Sequence, residues 1–200
     1  PNSPTLKVGG DITSKFTTVK HRWPMLSLSN TYNEEDLRDF DERVQKGIGH
    51  PVEYVCELKF DGLSIAITYE NGMLKQAITR GDGMQGDDVT NNVKTIRSIP
   101  HQLKQQNFPD LFEIRGEIFM HKSAFVRLNQ EREENDEQTY ANPRNFASGT
   151  IKLQDSREVA KRPLDCFLYF LYMENRNKTF QTHWESLAAV KQWGFHVSEH

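Results

Sequence analysis

Asn71-Gly72 stands between two alternating runs, Ser64 to Glu70 and Met73 to Thr79, and constrains this chain more tightly than any other pair. Both central positions of a two-residue hairpin turn need positive φ, which Asn and Gly tolerate and bulkier residues do not. The pair predicts an antiparallel hairpin, and with it a sheet that is not assembled from parallel βαβ units.

Alternation recurs on both sides of the hairpin. From Val52, residues Tyr54, Cys56, Leu58 and Phe60 share one side and Val55, Glu57, Lys59 and Asp61 the other, which predicts a strand over 52–60. Leu111 to Met120 alternates again, with Phe112, Ile114, Ile118 and Met120 inward and Glu113, Arg115 and Glu117 opposite. Asp165 to Met173 is a continuous apolar run, read as a buried strand with Phe167, Tyr169 and Leu171 in the core. Asn33, followed by Glu34, Glu35 and Asp36, caps a helix expected over 34–46, with Leu37, Phe40 and Val44 as its stripe and Gly47 as its stop. Further helices are expected at about 87–97 on Val89, Val93 and Ile96, and at about 123–134 on Phe125 and Leu128. Another starts at the Thr182/Glu185 capping box, with Trp184, Leu187 and Val190 as its stripe and Gly194 as its end. Residues 140–150 read as a small-residue loop and Phe195 to Val197 as the start of a strand. The fold class is α+β, mostly antiparallel sheets with flanking helices. Residues 1–30, punctuated by Ser, Thr and Pro, read as an arm, and 31–200 as the domain.

Composition removes several function classes. With 36% apolar and 10% aromatic residues the chain is too rich for disorder, and no apolar run approaches the roughly 18 residues of a membrane span. Cys56 and Cys166 are too few and too far apart for a disulfide framework or a CxxC zinc site, so a reducing, cytosolic setting is expected. The opening Pro1-Asn2-Ser3-Pro4 carries neither a signal pattern nor a Met and reads as a piece of something longer. A net charge of -3 argues against a nucleic-acid clamp acting alone. Between Ala141 and Pro163, however, Arg144, Lys152, Arg157, Lys161 and Arg162 outweigh Asp155 and Glu158, which suits either a shared nucleic-acid face or a solvated surface. The histidines are scattered along the chain, which argues against a metal site or a Ser–His–Asp triad.

Three short constellations could carry chemistry. Glu57-Leu58-Lys59-Phe60-Asp61-Gly62 places a lysine between two carboxylates just before a turn. Lysine is a nucleophile only once deprotonated, so it needs a cleft that desolvates it or a neighbouring cation. From the hexapeptide alone, an exposed charge ladder is the favoured reading. Gly81-Asp82-Gly83-Met84-Gln85-Gly86 satisfies GxGxxG and is expected to open a helix, but it follows a hairpin strand and is crowded by Asp82, Asp87 and Asp88. A dinucleotide-binding reading is therefore rejected, although Arg80 could reach an anion from the hairpin's end. In Arg115-Gly116-Glu117 a mid-strand glycine marks close approach of a ligand or of another backbone. Arg115 and Glu117 suit either an internal ion pair or a Mg²⁺/ribose contact by Glu117.

In this order and spacing, Lys59-x-Asp61-Gly62, Arg80-Gly81-Asp82-Gly83 and Arg115-Gly116-Glu117 resemble the nucleotidyltransferase motifs of polynucleotide ligases. Longer stretches narrow the likeness: Met25-Leu26-Ser27-Leu28-Ser29-Asn30, Cys56-Glu57-Leu58-Lys59, Asp88-Val89-Thr90-x-Asn92 and Tyr140-Ala141-Asn142-Pro143-Arg144-Asn145. From about Ser3 to its last residue the chain resembles the adenylation domain of bacterial NAD-dependent DNA ligases. The resemblance implies an ATP-grasp-like nucleotidyltransferase core, truncated at its C-terminal end, with residues 1–30 wrapping the adenylate pocket. It implies that Lys59 attacks the adenylyl phosphate of NAD, holds AMP as a phosphoramide and passes it to the 5′-phosphate of a nick in DNA replication and repair. By the same resemblance Asp61 orients the Lys59 turn, Ser27 and Leu28 contact the adenylate and Glu57 reads the adenine edge. Arg80 and Glu117 hold the ribose–phosphate side, Glu117 lies near Mg²⁺, and Arg144 and Lys152 face DNA. The partners implied are NAD and nicked double-stranded DNA, for a cytoplasmic monomer with no membrane association; Zn²⁺ belongs to a module absent here. The segments that grip the nicotinamide half and close the pocket have no counterpart between Pro1 and His200, so this piece is expected to bind adenosine weakly and not to seal nicks. Two alternatives stay open: an ATP-dependent ligase or capping-type nucleotidyltransferase, and a non-catalytic module for DNA or partner binding.

Overall fold

The Asn71-Gly72 turn forms as its chemistry requires, with φ of 49° at Asn71 and 73° at Gly72. The computed structural model describes residues 15–104 and 107–199. In chain order the elements are β1 (Thr18–Lys20), α1 (Glu34–Ile48), β2 (Leu63–Glu70), β3 (Met73–Thr79), β4 (Gln85–Asp87), α2 (Thr90–Val93) and β5 (Leu111–Met120). They continue as α3 (Lys122–Glu134), α4 (Pro143–Ile151), α5 (Ser156–Ala160), β6 (Leu164–Tyr172), α6 (Arg176–Thr179) and α7 (His183–Gln192). The architecture is α+β. One antiparallel sheet has the order β3-β2-β5-β6, and β1 pairs with β4 in a separate two-stranded ribbon. Among the described residues no helix is long and apolar enough to cross a membrane.

The two faces of the main sheet differ. Ile65, Ile67 and Tyr69 of β2 lie opposite Gly116, Ile114 and Phe112 of β5, and all of these side chains are buried. Leu168 and Leu171 of β6, Val89, Val93, Ile96 and Ile99 around α2, and Val190, Trp193, Phe195 and Val197 at the end of the chain complete this core. Tyr69 stacks on Phe112 at 5.3 Å, and Phe195 meets Tyr69 edge-on at 5.1 Å. The opposite face carries Ser64 and Ala66 of β2, Glu113, Arg115 and Glu117 of β5, and Phe167 and Phe170 of β6. It too is covered, and Glu113, Arg115 and Glu117 are all buried.

Gly116 explains how β5 and β6 pack so closely. A Cβ built there would lie 2.3 Å from the Phe167 carbonyl oxygen and 2.5 Å from Leu168 Cδ2. The close approach foreseen for this glycine is therefore to another strand. Gly116→Ala should cost on the order of 2–3 kcal/mol by overpacking, read as a lower urea midpoint at unchanged slope.

Several elements differ from expectation. Residues 51–61 form no strand, because β2 already has β3 and β5 on its two sides and no described neighbour offers a ladder. α1 runs through Gly47 to Ile48 and is stopped by Gly49 at φ 89°; Asn33 caps it as expected, accepting from the Asp36 N–H at 2.8 Å. Its stripe is not buried, leaving Leu37 and Phe40 exposed along with Tyr54, Val55 and Leu58 of the following segment. The helix expected over 87–97 shrinks to Thr90–Val93 because Asp87 is drawn into the ribbon with β1. The GxGxxG stretch opens β4, and its turn is held by Asp82 Oδ1 accepting from the Met84 and Gln85 N–H groups. Residues 143–151 are helical, capped by Asn142 with Pro143 in the first turn. The Thr182/Glu185 capping box forms, but Trp184 faces solvent and buried Ser186 takes its place. Residues 195–197 are no strand; one backbone bond joins Leu168 N to His196 O. The first fourteen residues of the expected arm lie outside the described residues.

Candidate active site

Gly62 and Ser64, where the segment carrying Lys59 enters β2, lie beside residues of the other two motifs. Glu117 accepts from the Gly62 N–H at 3.2 Å through Oε1 and from the Ser64 hydroxyl at 2.8 Å through Oε2. The Arg80 N–H donates to the Ser64 carbonyl at 3.2 Å, so the hairpin's end lies against the same turn. Only glycine admits this geometry at position 62, because a Cβ there would fall 2.1 Å from the Ile118 carbonyl oxygen. Phe60 clamps the segment onto β6 by stacking on Phe167 at 4.3 Å, and Lys59 beside it is exposed.

Burial holds the Glu117 carboxyl above the usual carboxylate range, while the Ser64 and Gly62 hydrogen bonds and the charges of Lys59 and Arg144 pull it down. The shift has a sign that can be checked. A carboxyl raised in the folded state keeps its proton where the unfolded chain has lost it, so its contribution to stability falls as pH rises from the ordinary carboxylate value through the folded one. Glu117→Gln should therefore gain stability relative to the parent as pH increases through that window, and urea midpoints taken across it would reveal the divergence.

Arg115 does not pair with Glu117. Its Nε donates to Glu113 Oε1 at 2.8 Å, its two terminal nitrogens donate to the Trp23 and Pro24 carbonyls at 2.5 and 3.0 Å, and its guanidinium lies 4.0 Å over Tyr172. Burial pushes the Glu113 carboxyl up, and Arg115 opposes that shift. This buried pair clasps the segment before Met25. The His21 Nε2–H donates to the Arg80 carbonyl at 3.0 Å, and Met25 N donates to the Gly83 carbonyl at 2.8 Å. Beyond buried Met25, Ser27 and Leu28 are exposed rather than packed against the fold.

Asp61 pairs with Arg144 of α4 at 2.9 Å. Both side chains are largely exposed, so the pair contributes at most about 1 kcal/mol and mainly sets where α4 begins relative to Lys59. Lys152 pairs with Asp87 of β4 at 2.9 Å. Glu57 turns towards α7, where its Oε2 accepts from His183 Nε2 at 3.0 Å.

Sequence reasoning assigned Tyr169 to the core, and the structure corrects this. A bulge in β6 leaves Tyr169 as the extra residue between Leu168 and Phe170, and its ring lies near Glu117 and Ser64. Burial, followed by the Glu117 charge, pushes its phenol above its usual value. His183 and Ser64 were missed as well. A bulge and a contact between residues 57 and 183 leave no local signal, whereas the Ser64–Glu117 pairing follows from strand register.

No three His, Cys, Asp or Glu side chains among the described residues gather as a metal cage. Glu117 supplies a single carboxylate, a donor set that fits Mg²⁺ only in the mode where substrate phosphates and waters provide the other ligands. Two cavities, of about 340 and 310 Å³, lie elsewhere, one lined by Phe108, Phe180 and Trp193 and the other by Phe16, Val89 and Asn91.

Comparison with known proteins identifies the family. A family model described as the NAD-dependent DNA ligase adenylation domain matches residues 13–200. A DNA ligase of Cytophaga hutchinsonii is 58% identical over 198 residues, covering 99% of this chain and 29% of that protein. DNA ligases of Flavobacterium psychrophilum and Bacteroides fragilis are 57% and 54% identical over 197 residues, each match covering 98% of this chain and 29% of the relative. The chain thus spans less than a third of the length of these curated relatives.

Proposed function

The chain belongs to the NAD-dependent DNA ligase adenylation domain family, and on that premise we propose that Lys59 takes AMP from NAD and holds it for transfer to the 5′-phosphate of a DNA nick. The observation that carries this reading is that Glu117 and the Arg80 backbone bind Gly62 and Ser64 at the start of β2, with the Lys59 charge acting on Glu117. Transfer of an adenylyl group needs a nucleophile aligned with its leaving group and cations that absorb developing charge. The Lys59 amine, once deprotonated, forms a bond to the α-phosphorus as the bond to the nicotinamide mononucleotide oxygen breaks. Arg80 faces the ribose–phosphate side from the hairpin's end. Glu117, fixed by Gly62 and Ser64, holds the nucleotide and would hold a Mg²⁺ ion, which would neutralise phosphate charge when bound. Glu57 reads the purine edge, and Tyr169 stands beside Glu117 and Ser64. Asp61, through Arg144, keeps the Lys59 turn against α4, and Ser27 and Leu28 close over the adenylate when the arm folds inward. Arg144 and Lys152 belong to the face that meets DNA, for which the basic balance of residues 141–163 argues. The cellular setting proposed is the cytoplasm, with the whole protein acting as a monomer.

The test is direct. The full ligase is incubated with Mg²⁺ and either NAD or ATP, and intact mass and peptide mapping locate any adduct. An AMP adduct on Lys59 from NAD alone is the expected result. An adduct from ATP would favour the ATP-dependent reading, and nick binding without any adduct would favour a non-catalytic module.

A further inference from the structure

We propose that His183 is a positioning residue for Glu57, fixing the carboxylate from the first turn of α7 so that one oxygen is committed and the other is presented to the nucleotide base. His183 is the first residue after the Thr182 cap, and the reciprocal capping box with Glu185 fixes the backbone from which its ring projects. The ring stacks on Phe170 of β6 at 5.5 Å and 26°. Arg176 lies over the other partner of this stack, 5.0 Å from the Phe170 ring, and its Nη2 approaches His183 Nδ1 at 3.4 Å and Ser186 Oγ at 3.1 Å. The Ser186 hydroxyl in turn donates to the His183 carbonyl at 2.6 Å.

These contacts decide the tautomer. A guanidinium only donates, so Nδ1 beside Arg176 is the accepting nitrogen and the hydrogen sits on Nε2. Nε2–H then donates to Glu57 Oε2 at 3.0 Å. A carboxylate has two oxygens able to accept, and Oε1 has no partner among the described residues. The ordered chain Arg176, His183, Glu57 therefore restrains a side chain two residues before Lys59, in a segment that lacks the ladder of a strand. Both partners of the His183–Glu57 contact are only about a quarter exposed, which shields it from competition by water. A catalytic groove usually holds its working groups through such outer contacts.

This inference rests on the reading that Glu57 faces the adenine base, and the experiment separates the two. In the full ligase, His183→Phe keeps a ring on Phe170 and removes the donor, His183→Gln restores an N–H near the Nε2 position, and Glu57→Ala removes the acceptor. Lysyl-AMP formation is followed at increasing NAD, with the melting temperature recorded for each variant. The expected result is a KM for NAD raised about tenfold in His183→Phe, the scale of one lost hydrogen bond to a charged group, with the saturating rate within about twofold. Gln should recover most of the loss, and His183→Phe should add nothing further in a Glu57→Ala background. An unchanged KM in His183→Phe beside a raised KM in Glu57→Ala overturns the positioning role and leaves the Glu57 reading standing. An unchanged KM in Glu57→Ala removes both. Equal losses in Phe and Gln variants that track a fall in melting temperature reduce His183 to a packing residue and likewise overturn the proposal.

Discussion

Lys59→Ala in the full ligase is expected to abolish the covalent AMP adduct and, with it, nick sealing. Loss of a nucleophile that forms a covalent intermediate typically lowers turnover by more than about 10⁴-fold, because no neighbouring group can take its place. Lys59→Arg should fail almost as completely, since a guanidinium stays protonated. Neither change should disturb the fold. Lys59 is exposed and makes no strand pairing, so both variants should unfold at the parent's urea midpoint. Affinity for NAD should fall far less than the rate, because Glu57, Arg80 and Glu117 remain in place. Intact mass for the adduct and calorimetric NAD titration for affinity measure the two effects separately. A surviving adduct on any other side chain would refute the assignment.

The second large effect concerns stability. Arg115→Met should cost about 3–5 kcal/mol, the usual result of removing one partner from a buried ion pair. The reason is local. Glu113 would stay buried without its counter-charge, and the Trp23 and Pro24 carbonyls would lose the guanidinium that clasps them. The exposed Arg22–Glu174 pair at 3.0 Å gives the contrast, since Arg22→Met should change stability by no more than about 1 kcal/mol. Adding Glu113→Gln to Arg115→Met should recover part of the loss, because the uncompensated charge is then gone. Urea denaturation of the three variants beside the parent measures each of these differences.

The parts of the fold that could be read from the sequence are those whose cause is local. The Asn71-Gly72 hairpin, the strand 111–120 and the Thr182/Glu185 cap each follow from a turn, a period or a reciprocal hydrogen bond within a few residues. The strand expected at 52–60 failed for the opposite reason: alternation describes a segment's own faces, while a ladder needs a neighbour supplied from elsewhere. α4 was readable in principle, because Asn142-Pro143 is a helix start, but the small residues that follow suggested a loop. At the site, strand register sets Glu117 opposite Ser64, and the hairpin brings the Arg80 N–H to the Ser64 carbonyl. The Arg115 partner did not follow from spacing, because Glu113 and Glu117 are equally placed on either side and the docked arm decides between them. Tyr169 and His183 depend on a bulge and on a contact that closes 126 positions, neither of which leaves a mark in the local text.

The uncovered stripe of α1 bears on how the isolated chain behaves in a tube. Leu37, Phe40, Ile48, Tyr54, Val55 and Leu58 expose greasy surface alongside backbone that no ladder occupies. Surfaces of this kind drive clumping as concentration rises, the more so in lyotropic salts such as ammonium sulfate. Crystallisation and storage of this chain would therefore be limited by colloidal stickiness well before its packed interior gives way.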